Sequence, residues 1–265
     1  MNLQIFIRGG GDLASGVALR LHRVGFQVAI LELEKPLAVR RTVSFSEAVY
    51  EGEQTVEGVT ARLVSPDQFQ VTLEAGEIPV LIDPEANILR NQFLTSPEST
   101  FLVDARLIKR EPDPLPVNLP LHIGLGPGFT AGDSCHAVIE TRRSHTLGRA
   151  IYEGRAYPDS GQPEGDPSRV LRAPDAGSVT PFKQIGDFCK KDELIAIMND
   201  KPVTSPFDGL LRGLIHPRAE VTEGMKIGDV DVRNNPEMIR LVSDKALAVA
   251  GGVLEAIYVK LREME

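Results

Sequence analysis

An α/β fold with a mainly parallel sheet, followed by a small all-β module and a C-terminal helix, is predicted by three observations. Short apolar runs alternate with helical patterns through the first half of the chain. A glycine-rich turn joins the first such run to the first helix. The last third changes to short segments punctuated by proline and glycine. The 265 residues divide accordingly into a first domain at 1–154, a linker at 155–169, a β module at 170–235 and a returning helix at 236–265.

Leu3-Gln4-Ile5-Phe6-Ile7 reads as the first strand. It runs into Arg8-Gly9-Gly10-Gly11-Asp12-Leu13-Ala14-Ser15-Gly16, which has G-x-G-x-x-A spacing on Gly9, Gly11 and Ala14. Such a turn brings backbone N–H groups up to a phosphate, and the following helix aims its positive dipole end at the same place. Leu13, Val17, Leu21 and Val24 recur at helical spacing, and Gly25 stops the run. The second strand, Val28 to Leu31, closes on Glu32. That residue lies 21 positions beyond Gly11, near where an acidic side chain grips an adenosine ribose. The unit is a Rossmann-like candidate for binding a nucleotide or dinucleotide. Gly9, Gly10, Gly11, Asp12, Leu13 and Ala14 would stand at the phosphates and Glu32 at the ribose. A turn needed only for packing and a solvated strand end are the structural alternatives.

The alternation continues. Pro36 to Arg41 leads into a short helix at 44–50 with Ser44 as its cap. Strands follow at 59–64, 78–82 and 100–103, separated by helices or turns at 66–74 and 84–93. Asp83 and Asp104, like Glu32, stand at C-terminal strand ends, where parallel sheets bind ligands; otherwise they cap turns. Arg40 and Arg41 are candidates for further anionic groups.

After a proline-rich loop at 111–120, glycines at 124, 126, 128 and 132 follow a second apolar run. Gly126 and Gly128 could belong to a second anion-binding loop or to a lid over the first. Cys135, His136 and His145 lie near Arg142, Arg143 and Arg149. A metal site, a nucleophilic Cys135 assisted by histidine, and an arginine-lined phosphate or carboxylate contact are all open. No C-x-x-C or H-x-x-x-H pair occurs, and Ala137-Val138-Ile139 looks like an ordinary strand, so a structural role is the simplest account.

Lys and Arg number 29 against 37 Asp and Glu, a formal charge of −8 with a pI near 5.3. This argues against non-specific binding to nucleic acid or an anionic membrane. No apolar run reaches the length of a membrane span, and the N-terminus reads as a strand and turn rather than a signal peptide. Cys135 and Cys189 are the two cysteines, which excludes a disulfide scaffold. The expectation is a reduced, cytoplasmic protein, with a homo-oligomer possible.

In the β module, Pro174/Gly177 and Pro206/Gly209 lie 32 residues apart, and Ile185-Gly186-Asp187 is echoed by Ile227-Gly228-Asp229. The segments "APDAG", "IGDFCKKDELIAIM", "SPFDG" and "EGMKIGDVD" resemble the biotinyl/lipoyl-type hammerhead, or barrel-sandwich hybrid, over residues 170–232. The corresponding hairpin reads Met198-Asn199-Asp200-Lys201-Pro202 without an M-K-M, so neither biotin nor lipoate is expected. In the last helix Val242, Ala246, Val249, Val253, Ala256 and Ile257 repeat at helical spacing, and Gly251-Gly252 suits a close approach to a neighbour.

The segments "IRGGGDLASGVA", "EKPLAVRRTVSFSEAVYEGEQTVEG", "VDARLIKR", "GLGPGFTAGDSCHAVIETRRSHTLGRAIYEGRA" and "AGGVLEA" resemble the YqeB-type accessory proteins associated with selenium-dependent molybdenum hydroxylases. The resemblance implies a maturation role beside an apo-hydroxylase partner. A nucleotide, with NAD(P) and a molybdopterin nucleotide both possible, would be held at the glycine turn. The alternative is an NAD(P)-dependent oxidoreductase or another enzyme acting on the cofactor or selenium donor, using Cys135, His136, His145, Asp83 or Asp104. No strong catalytic dyad is present, which favours the accessory reading.

Overall fold

The computed structural model describes residues 3–91, 96–161 and 166–265. Parts of the helix expected at 84–93 and of the linker at 155–169 lie outside these ranges. A large sheet is built from β1 (Gln4–Arg8), β2 (Gln27–Glu32), β3 (Glu53–Val56), β4 (Val59–Leu63), β5 (Ile78–Ile82), β6 (Thr100–Asp104) and β7 (Leu121–Leu125). Next come β8 (Thr130–Ala131), β9 (Ala137–Ile139), β10 (Ala150–Ile151) and β11 (Gly154–Arg155). Strands β8 and β11 form a separate ribbon; the other nine run in the order β10-β9-β7-β6-β1-β2-β5-β4-β3. The seven central strands are parallel, and β10 and β3 close the edges as antiparallel hairpin partners.

Both faces of this sheet are covered, which is why its strands read as apolar runs rather than as alternating patterns. On one face α1 (Asp12–Arg23) and α4 (Asp244–Met264) pack over Ile5, Ile7, Phe101, Val103 and Ile123. They cross so closely that a side chain on Gly16 would bring its Cβ 2.6 Å from that of Ala246. Between β2 and β3 lies the one-turn α2 (Ala48–Glu51). The other face is covered by α3 (Phe69–Glu74), whose Phe69 stacks on Phe6 with ring centroids 5.9 Å apart. Chain order reverses at β1, with β2 and β5 on one side and β6 and β7 on the other. That reversal leaves a crevice at the strands' C-terminal ends beside the glycine turn.

The single serine-capped helix expected at 44–50 is two 3-10 turns, Arg41–Val43 and Phe45–Glu47, followed by α2. The Ser44 hydroxyl donates back to the Arg40 carbonyl at 2.8 Å instead of capping. The expected 84–93 helix is, within the described residues, a 3-10 turn at Asn87–Arg90.

The β module comprises β12 (Val170–Arg172), β13 (Thr180–Pro181), β14 (Phe188–Cys189), β15 (Leu194–Met198), β16 (Lys201–Thr204), β17 (Gly209–Leu214) and β18 (Lys226–Asp231). Two antiparallel sheets, β12-β18-β17-β14 and β13-β15-β16, enclose Leu171, Cys189, Ile195, Met198, Leu211 and Val230. Asn199 and Asp200, at φ +45° and +64°, make the two-residue turn of the β15–β16 hairpin. Lys201 follows the turn. Its ammonium donates to the Pro174 carbonyl at 3.2 Å and pairs with Asp175 at 3.1 Å, tying the hairpin to the first of the echoed loops.

The module is seated on residues 35–51 of the first domain. Arg41 Nε donates to the Leu214 carbonyl at 2.7 Å, and Tyr50 stacks on His216 at 3.9 Å between centroids. Gly213 lies so close to Val39 that an added Cβ would stand 2.8 Å from its carbonyl oxygen. No helix among the described residues is long and apolar enough to cross a membrane.

Candidate functional site

The glycine turn has a closed side and an open side. Gly9 takes φ +93°, and its N–H donates to the Leu31 carbonyl at 2.7 Å, fixing the turn against β2. Gly10 N–H donates to Glu32 Oε2 at 2.6 Å, while Glu32 Oε1 accepts from Leu33 N–H at 2.7 Å. Burial raises the Glu32 carboxyl above its ordinary range, and these two amide donors oppose that rise. The acidic side chain placed at a ribose by spacing is therefore engaged inside the protein. The Gly10 carbonyl accepts from Ser46 N–H at 2.9 Å, and Ser15 Oγ donates to the same oxygen at 3.1 Å. Around Gly11, by contrast, an added Cβ would meet nothing within 4 Å. Gly11 precedes α1 without offering a capping side chain, so the first-turn amides of α1 have no cap from it.

Next to the turn lies a cleft of about 770 Å³ between the first domain and the β module, within the range that small-molecule ligands occupy. Asp12 and Leu13 bring the start of α1 to it, and Ser243, Asp244 and Lys245 bring the start of α4. The α1–α4 crossing at Gly16 and Ala246 thus places two helix N-termini on one cavity; α4 is capped by Ser243 Oγ on Ala246 N–H at 3.1 Å, and each helix carries an aspartate, Asp12 or Asp244, in its first turn. Strands β17 and β18 supply the opposite wall. Asp229, fully buried, accepts from Arg212 Nε at 2.9 Å and also pairs with Arg169 and, at 3.3 Å, with Lys226. Asp231 pairs with Arg212 at 3.0 Å and Arg233 at 2.8 Å; hydrogen bonding from Arg233 is the main reason its carboxyl is held down to about 2.

Seven basic side chains line the cleft against five acidic ones, an excess of positive charge in a chain whose formal charge is −8. Arg40 ties the start of α1 to the segment before α4. It pairs with Asp12 at 3.4 Å and donates from Nη2 to the Met238 carbonyl at 2.8 Å, while its buried Nε has no acceptor. Burial lowers its pKa from the ordinary guanidinium value, and the neighbouring Arg212 adds to that. At the α4 end, Asp244 is brought to about 2 by the bidentate Arg143 pair, 2.7 Å on each arm.

The remaining candidates lie elsewhere. Arg41 pairs with Glu47 and holds the module. Asp83 caps the 3-10 turn after β5, accepting from Asn87 and Ile88 N–H at 2.9 and 2.8 Å. Asp104 is fully buried and chelated by Arg106 at 2.7 to 3.2 Å, with Arg8 at 3.8 Å. Gly126 takes φ +85°, and a Cβ there would stand 3.0 Å from Thr141 Oγ1, while one on Gly128 would stand 2.4 Å from the Ile108 carbonyl oxygen, so these two glycines pack against the protein itself. Ala14 is buried on the sheet side of α1. Burial pushes the Cys135 thiol up to about 11, which removes thiolate character. His136 Nδ1 accepts from His122 N–H at 2.9 Å, and His145 is exposed on the loop after β9.

At the module seat, Glu47, Glu51 and His216 offer ligand atoms within 4.8 Å of one another. The His216 ring argues against a cation there. Its Nδ1 accepts from Arg218 N–H at 3.0 Å, so the neutral ring carries its proton on Nε2, which faces Glu51 at 3.1 Å as a donor. Arg41 on Glu47 and Arg218 on Glu51 already neutralise the carboxylates.

Asp229, Asp231 and Arg233 recur at every second residue, and Arg212 lies on the paired strand. Alternation of charges within an apolar strand pattern was the signal for this wall. Lys245 at the start of α4 had no comparable signal.

No family model matches the chain. Over 264 residues, 98% of this chain, it is 44% identical to the Uncharacterized protein YqeB of Escherichia coli (strain K12), and it spans 48% of that protein's length. The chain thus covers about half of the curated relative it matches. A solved succinylglutamate desuccinylase/aspartoacylase from Rhodobacter sphaeroides is similar at a TM-score of 0.24 and 13% identity, over 85% of this chain and 84% of that one. Likeness at that level bears on neither fold nor function.

Proposed function

We propose that this chain works as a YqeB-type accessory protein that binds a nucleotide or nucleotide-bearing pterin in the cleft between its Rossmann-like domain and its hammerhead-like module. In this role it serves the maturation of a selenium-dependent molybdenum hydroxylase. The observation that supports the reading best is the meeting of two helix N-termini with a basic strand wall on one cavity. Phosphate placed there gains amide donors from α1 and long-range attraction from Arg40, Arg212 and Arg233. Chemistry is not needed for this role. The buried Cys135 is protonated, Asp104 is consumed by Arg106, and Asp83 by a turn, so three of the five residues proposed for an oxidoreductase are engaged in structure.

The test is thermal shift and titration of the purified chain against CTP, ATP, NAD and NADP, repeated on Gly11→Asp. A Cβ at this position meets nothing within 4 Å, and an aspartate can cap α1, which is worth only a few tenths of a kcal/mol over glycine. Its charge nonetheless stands next to Asp12 and Leu13, which line the cleft. A variant that melts no lower and no longer responds to nucleotide supports the reading. A wild-type protein that responds to none of these ligands rejects it.

A further inference from the structure

The glycine turn invites a dinucleotide laid across β1 and β2, but the β2 side of the turn is filled by the protein itself. Glu32 spends both carboxylate oxygens on Gly10 and Leu33 amides. The following segment folds back over the turn. Ser44, Phe45, Ser46 and Glu47 are all buried, at 0, 0, 1 and 6% exposure, and Ser46 N–H is bonded to the Gly10 carbonyl. Phe45 N–H is held in turn by Ser15 Oγ at 2.7 Å, which anchors the segment to the first helix. Even a methyl group on Gly10 would come within 2.9 Å of Ser46 N. On the β6 side, Ala105 N–H donates to the Arg8 carbonyl at 2.9 Å, continuing the β1–β6 ladder, and Leu107 beyond it lines the cleft. Gly11 alone of the three turn glycines has open space around an added Cβ, and the two residues after it, Asp12 and Leu13, line the module-side cleft.

We infer that the site takes a ligand whose phosphates sit at the joined starts of α1 and α4 and whose remaining bulk lies along β17 and β18. Adenine dinucleotides of the NAD(P) class are rejected because the adenosine ribose position on β2 is occupied. This rests on the nucleotide reading above and decides between its two branches. A nicotinamide-linked oxidoreductase needs the β2 pose, whereas a carrier of a mononucleoside polyphosphate does not. Polar contacts for the non-phosphate part come from the module, where Arg212 and Arg233 are presented by their carboxylate partners.

The experiment uses the full chain, with CTP, inorganic tripolyphosphate and NADH as probes, read by calorimetric titration and by hydrogen exchange of the bound state. The expected result is that CTP and tripolyphosphate bind at least ten-fold tighter than NADH. Exchange slows at 11–15, 226–233 and 243–247 and is unchanged at 32–35 and 44–47. NADH binding within a factor of three of CTP, or ligand protection at 32–35, overturns the inference while leaving nucleotide binding intact. Binding of no probe removes the nucleotide reading itself, and this inference with it. Slowed exchange confined to 11–15 and 226–247 with NADH excluded leaves both standing.

Discussion

Two adjacent glycines in α4 respond oppositely to the same substitution. Gly251 is exposed, and a Cβ there meets nothing within 4 Å. Gly251→Ala therefore gains only the helix-propensity difference, about 1 kcal/mol. Gly252 faces the loop between β9 and β10, where its added Cβ would lie 2.0 Å from the Gly148 carbonyl oxygen and 3.0 Å from Ile139 Cγ2.

That loop cannot simply withdraw. Gly148 N–H donates to the Glu140 carbonyl at 2.9 Å, Glu140 N–H to the Arg149 carbonyl at 3.0 Å, and Gly148 itself sits at φ +76°. Reaching an ordinary contact requires more than an ångström of movement. Overpacking of this kind costs about 1–3 kcal/mol, and each loop hydrogen bond lost adds about 1 kcal/mol. Against the same propensity gain, Gly252→Ala is left destabilised by about 1–3 kcal/mol. The two variants should separate by about 2–4 kcal/mol in urea unfolding followed by circular dichroism, provided the denaturant slope is unchanged. Equal shifts of the same sign would refute the close-approach account, because propensity alone treats the two positions alike.

Three further outcomes are expected. Cys135 and Cys189 are both buried with raised thiol pKa values, so alkylation by iodoacetamide at pH 8 should be about a hundred-fold slower or more in the native chain than in urea; rapid labelling of Cys135 would contradict its placement. Glu237→Gln removes one carboxylate from the cleft lining and should tighten CTP several-fold at low salt, with the gain fading by 1 M salt; unchanged affinity would show that cleft charge does not govern binding. The Asp231 carboxyl is lowered from 3.8 to about 2 in the fold. Its stabilisation is therefore present above about pH 4 and lost as pH falls toward 2, and acid titration of Asp231→Asn should lack that component.

The glycine turn was legible because every part of it is local. Strand, turn, helix and second strand follow within about thirty residues, and their periodicities and the positive φ at Gly9 are written in neighbouring side chains. The covered segment 44–47 was not legible as a cover. Ser44 reads as a helix cap by type, yet the chain there is bent into 3-10 turns by contacts with Ser15 and Gly10, thirty or more residues away. Gly251 and Gly252 look identical in sequence, and only the approach of Gly148 separates them.

By itself the sequence determined the α/β alternation, the change to a β module after the polar linker, and the turn that leaves α1 uncapped. All of these follow from side-chain periodicity and backbone preferences acting over a few residues. Only the tertiary structure decided which sides of the turn the protein itself covers. Glu32 has the spacing of a ribose ligand and also the reach to take the Gly10 amide, and the burial of 44–47 settles the choice for the amide. The opposite wall comes from Arg212, Asp229, Asp231 and Arg233, some two hundred residues along the chain. It meets the turn because Arg41, Tyr50 and Gly213 seat the module against the first domain.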